Sequence, residues 1–128
     1  MRARAEALLA HLSDVPVAIL VANDRGRYVD VNQQAVALTG YTRAELTSMG
    51  LMDLTPNPQA AMSRRLWRAF LRRGRMAGLY ALRRKDGSVV AAQYVAIANV
   101  LPSVHVSALV PVATTFPPAR AKARPKRR

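Results

Sequence analysis

The chain is 128 residues long, 51% hydrophobic and free of cysteine, enough for one domain with its own core and too little for two. The missing thiols exclude disulfides, thiolate metal centres, cysteine nucleophiles and cysteinyl cofactor links. No apolar run reaches the roughly 18–20 residues of a membrane span, and Met1 to Glu6 lacks the apolar stretch of a secretion signal, so a cytoplasmic location is expected.

Net charge is +13 and unevenly placed. Residues 117–128 hold Arg120, Lys122, Arg124, Lys126, Arg127 and Arg128 with no acid, three prolines and no apolar side chain larger than alanine. Such a segment cannot bury enough surface to offset its ordering entropy, and a disordered tail is expected. Arg64 to Lys85 also lacks any acidic residue, but its apolar periodicity predicts folded structure.

In chain order, Ala5, Leu8, Leu9 and Leu12 recur at helical spacing and predict a helix over Ala3–Leu12. Val17–Ala22 is an unbroken apolar run, Asn23–Gly26 a turn, and Tyr28–Val31 a second strand, together a hairpin. Asn32 suits an N-cap for Gln33–Thr39, with Gly40 as its stop. Thr42-Arg-Ala-Glu45 has capping-box spacing and starts another short helix that turns Leu46 inward. Pro56-Asn-Pro58 breaks the chain. The longest helix follows over Gln59–Arg73, with Met62, Leu66, Ala69 and Phe70 on one side and Arg64, Arg65, Arg68 and Arg72 largely on the other. Gly74 and Gly78 bracket its exit. Leu79–Arg84 and Val89–Ala98 flank the tight turn Lys85-Asp-Gly87 as a second hairpin, and Asn99–Ser103 turns into a last strand, Val104–Val112. There is no internal repeat.

Two hairpin strands, a cluster of helices and three further strands predict an α+β fold, a five-stranded antiparallel sheet with helices on one face. The segments Val17-Ala-Ile-Leu-Val-Ala-Asn-Asp-Arg-Gly-Arg-Tyr-Val-Asp-Val-Asn32, Leu38-Thr-Gly-Tyr-Thr-Arg-Ala-Glu-Leu46 and Leu82-Arg-Arg-Lys-Asp-Gly-Ser-Val-Val90 resemble, in order and spacing, those of a PAS domain. The resemblance spans Ser13–Val112, leaving an N-terminal helix over 1–12 and a basic tail over 113–128. It implies a sensing and dimerising module without catalysis, which often encloses a small ligand between the sheet and the longest helix and passes its state to an effector protein. It does not identify the ligand, because the same fold carries haem, flavin, small acids, lipids or nothing.

The residues bear on those ligands. Light sensors of this family use a reactive cysteine, absent here, and line their last strands with amides; the matching positions Leu82, Ala92 and Leu109 are apolar, which disfavours flavin. Haem sensors usually supply a histidine from the longest helix, and Gln59–Arg73 contains none. His11 is expected to be exposed. His105 shares a strand face with Ser107 and Leu109, the face that the resemblance turns toward the pocket. Three readings of it are open: satisfaction by a neighbouring group, contact with a ligand, or ligation of a metal or haem. No cofactor and no metal are expected, and a colourless protein, with room left for a small apolar or weakly polar ligand.

The expected pocket lining is Val21, Leu38, Leu46, Leu66, Phe70, Leu82, Ala92, Tyr94, His105, Ser107 and Leu109, with the small Ala92, Ala96 and Ala98 leaving volume. Trp67 lies one position off the Phe70 face, where it would cover a neighbouring strand or a partner chain. On the opposite sheet face, Leu79, Ala81, Val95, Ile97, Val104, Val106, Ala108 and Val110 are too apolar for water. With Leu8, Leu9 and Leu12 they predict a homodimer interface. No serine sits in a nucleophile elbow and no carboxylate pair suits acid–base work, so no enzyme is expected. The alternative is a small basic protein whose fold dimerises polyanion-binding tails, with nucleic acid as partner.

Overall fold

The computed structural model describes residues 16–56 and 60–112. The expected N-terminal helix with Leu8, Leu9, His11 and Leu12, the start of the longest helix at Gln59, and the tail from Arg120 to Arg128 lie outside them.

Strands β1 (Ala18–Ala22) and β2 (Tyr28–Val31) form the first hairpin. Its turn is closed by Asn23, whose Oδ1 accepts from the backbone N–H groups of Arg25 at 2.9 Å and Arg27 at 3.1 Å. Asn32 then caps α1 (Gln33–Thr39), accepting from Ala35 N–H at 3.0 Å. The same oxygen accepts from Ile19 N–H at 2.9 Å, and Nδ2 donates to Val17 O at 2.9 Å. One buried amide thus caps a helix and clamps it to β1. Thr42 and Glu45 complete the reciprocal capping box of α2 (Arg43–Leu46), at 3.1 and 2.9 Å. A 3-10 turn over Leu51–Leu54 follows, then α3 (Ala60–Arg73).

The second half is β3 (Arg75–Arg83), β4 (Val89–Leu101) and β5 (Val104–Pro111). All neighbours pair antiparallel in the order β2-β1-β5-β4-β3, the five-stranded sheet expected. β1 lies inside the sheet and is buried along its whole length. Alternation sends Ala18, Leu20 and Ala22 to the helix side, where they join Leu46, Leu54, Leu82, Ala92 and Leu109 in the main core. Ile19 and Val21 point the other way and pack with Val104 in a smaller outer cluster.

Several expectations change. Val21 faces away from the helices, because a strand with five apolar residues in a row carries no alternation from which to read its parity. Val104 is wholly buried within the chain and leaves the expected interface. β3 starts at Arg75 rather than Leu79: Gly78 does not break it but pairs with Tyr94, and a Cβ there would make an ordinary contact with the Tyr94 ring at 3.6 Å. β4 runs on to Leu101 through an irregularity after Ile97, with Asn99 at φ 53° and Ser103 at φ 60°. β5 ends one residue earlier than expected. The Leu51–Leu54 turn was not legible in the sequence.

Candidate functional site: an aromatic-walled cavity

Between α3, the Leu51–Leu54 turn and the inner sheet face lies a cavity of about 170 Å³. α3 contributes Leu66, Trp67 and Phe70; the turn gives Leu51 and Leu54; the sheet gives Leu20, Ala22, Tyr28, Met76, Tyr80, Leu82, Tyr94, Ala96, His105, Ser107 and Leu109, together with Val106, which was expected on the outer face alone. α3 is held over the opening by two aromatic anchors. Phe70 is buried, and the Trp67 indole N–H donates to Asp24 O at 2.7 Å, at the tip of the β1–β2 turn. The indole lies against Gly26, so Trp67 covers the first hairpin of its own chain.

Of the expected lining residues, Leu66, Phe70, Leu82, Tyr94, His105, Ser107 and Leu109 border this space. Val21 does not, for the reason of parity. Leu46 and Ala92 are wholly buried in the same core, and Leu38 packs partly buried against it; none of these three borders the cavity. Missed were Tyr28, Tyr80 and Trp67 above all. Tyr80 was accessible from alternation with Leu82, whereas Leu51 and Leu54 depended on a turn with no sequence signature.

His105 is 2% exposed. Its ring stands edge-on to Trp67 and Phe70, with centroids 5.7 and 6.1 Å away. Nδ1 accepts from Asn99 N–H at 2.9 Å. A backbone N–H can only donate, so the ring proton belongs on Nε2 and donates to Asp24 Oδ1 at 2.7 Å. Ser103 donates to the other Asp24 oxygen at 2.8 Å. The His105 and Ser103 bonds hold the Asp24 carboxyl below its ordinary pKa. Both ring nitrogens are thereby engaged, which favours the first of the three readings of His105. Among the described residues no cluster of three or more metal-ligating side chains occurs.

The polar atoms at the opposite wall are phenols. Burial pushes the Tyr28 hydroxyl far above the range in which it would ionise, and neighbouring Tyr80 and Asp53 add to this. Burial also raises the Tyr80 hydroxyl. The walls thus carry neutral hydroxyls and aromatic rings.

A family model described as PAS domain matches residues 16–108. No curated protein matches the chain in sequence. Among solved structures, the chain is similar to a domain of a sensory box sensor histidine kinase/response regulator from Geobacter sulfurreducens, at 17% identity and TM-score 0.71, over 83% of this chain and 92% of that one. It is similar to the PAS domain, in complex with ethanol, of a LuxR-family transcriptional regulator from Burkholderia thailandensis, at 16% identity and TM-score 0.67, over 83% and 97%. The Rhodobacter sphaeroides LOV protein matches at 15% identity and TM-score 0.73, over 88% and 69%. At such identities the likeness is one of fold.

Proposed function

The chain belongs to the PAS-domain family, and from that premise we propose that it is a sensory module with no catalysis of its own, whose input is a small uncharged molecule held between α3 and the sheet and whose output is read by an effector protein. The observation that carries this reading is the aromatic-walled cavity of about 170 Å³. An apolar cavity of roughly 150 Å³ suffices for benzene, whereas drug-sized ligands occupy about 300–1,000 Å³. The volume therefore suits a compact molecule and argues against flavin and haem, as do the apolar side chains at Leu82, Ala92 and Leu109. A fold neighbour in complex with ethanol is consistent with an input of this kind.

The test is a titration of the protein with benzene, followed by amide and methyl NMR. Shifts centred on Leu20, Leu82 and Phe70 are expected, and loss of those shifts in Ala96→Phe, which fills the space. Silence at millimolar benzene in a protein that remains folded overturns the reading.

One observation favours a second reading. α3 exposes Arg64, Arg65, Arg68, Arg72 and Arg73, and among the described residues none of them has an ion-pair partner. With Arg120, Lys122, Arg124, Lys126, Arg127 and Arg128 they supply a polyanion-binding potential. Anisotropy of a labelled DNA duplex tests it: deleting residues 117–128 should weaken binding and flatten its salt dependence. Unchanged binding assigns the attraction to α3 instead.

A further inference from the structure

Resting on the cavity as a small-molecule site, we propose that its occupant is a neutral molecule carrying a hydroxyl group, an alcohol or phenol of about benzene's size, whose hydroxyl accepts from Tyr28 and donates to Tyr80. Thr55 Oγ1 lies 3.0 Å from Leu51 O, a group that can only accept, so the Thr55 proton is committed there. Thr55 Oγ1 also lies 2.7 Å from the Tyr80 hydroxyl, and with its own proton spent it must accept. The Tyr80 proton is therefore spent too, and its oxygen presents only lone pairs to the cavity.

Tyr28 is the complement. It is 6% exposed and lines the same cavity, yet among the described residues its hydroxyl has no hydrogen-bond partner, while its backbone N–H donates to Met49 O at 3.0 Å. The hydroxyl opens onto the cavity, where it offers an unused donor. Both phenols line the same cavity.

At this wall the two phenols thus offer one free donor and one free acceptor, while Tyr94 and Ser107 elsewhere in the lining keep hydroxyls of their own. A carbonyl answers only the first, and an ether likewise. A hydroxyl answers both with a single atom. Charged ligands fit poorly: the lining carries no Lys, Arg, Asp or Glu, both His105 nitrogens are committed, and Asp53 is an exposed residue whose carboxylate accepts from Gly50 N–H. A buried charge would go unpaired. The remaining walls, Phe70, Trp67, Leu20 and Leu82 among them, ask for an apolar body.

The experiment compares phenol with benzene by calorimetric titration of the full chain, its Tyr28→Phe variant and its Tyr80→Phe variant. Expected is a phenol-to-benzene affinity ratio that falls about tenfold in Tyr28→Phe and by a smaller factor in Tyr80→Phe. Tyr28→Phe should also melt no lower than the native protein without ligand, since it removes an unsatisfied hydroxyl. If either variant fails to fold, the ratio in the other decides. A ratio unchanged in the folded variants overturns the hydroxyl assignment and leaves the cavity reading standing. Absence of binding by both probes overturns the two together.

Discussion

Asn32 shows how much one side chain can hold. Its oxygen takes the N–H groups of Ala35 and Ile19, and its nitrogen reaches Val17 O, in a site 3% exposed. Removing it strips an N-cap and leaves buried backbone groups unsatisfied, so Asn32→Ala should lose about 2–3 kcal/mol in urea denaturation. Asp30 makes a comparable case: it is buried and held by Arg43 Nε at 2.8 Å. Arg43→Met would strand a buried carboxylate, and a loss of about 2–4 kcal/mol is expected in the same assay. Asp24 carries a pH dependence. Its folded pKa lies below the ordinary 3.8, first through the His105 bond and then through Ser103. The unfolded chain therefore takes up the proton more readily, and the stabilisation is complete above about pH 4 and fades as pH falls through the lower folded value. Melting temperature followed from pH 6 to pH 2 should drop less steeply in Asp24→Asn than in the native protein below pH 4.

At the scale of elements, the sheet edge and the helix ends use glycine for different reasons, and the difference has a sign. Gly78 lies inside β3 without a positive φ, and a Cβ there would meet the Tyr94 ring at 3.6 Å, an ordinary contact. Gly78→Ala should therefore raise stability by about 0.4–1 kcal/mol through the unfolded chain. Gly40 ends α1 at φ 81°, with the Lys85 backbone nearby. Gly40→Ala should destabilise by about 1 kcal/mol or more. Thermal melts of the two variants should move in opposite directions. Among the described side chains of α3, Trp67 and Phe70 meet His105 of β5 edge-on and Trp67 bonds to Asp24 O, so these two rings and one indole hydrogen bond hold the cavity roof.

At the scale of the whole molecule, the two sheet faces are unequal. The inner one is covered by helices, whereas Leu79, Val95, Ile97 and Val110 on the outer one are 70%, 44%, 42% and 46% exposed. The homodimer proposed for this face would bury that apolar strip in a self-complementary contact. Ile97→Glu should yield a folded monomer by sedimentation velocity at micromolar concentration, with unchanged benzene binding. A native protein that is already monomeric there refutes the interface.

Local chemistry, read from the sequence, determined the caps at Asn32 and Thr42, the Lys85-Asp-Gly87 turn, the parity of β5 and hence the inward face of His105, because each depends on residues within a few positions of one another. Alternation also placed Leu82 and Tyr94 toward the helices. Only the tertiary structure decided the parity of β1, where every residue is apolar and no period exists to read. It alone joined Thr55 to Tyr80 and His105 Nε2 to Asp24, because those contacts join residues 25 and 81 positions apart, and a partner's identity leaves no trace in the spacing of either residue.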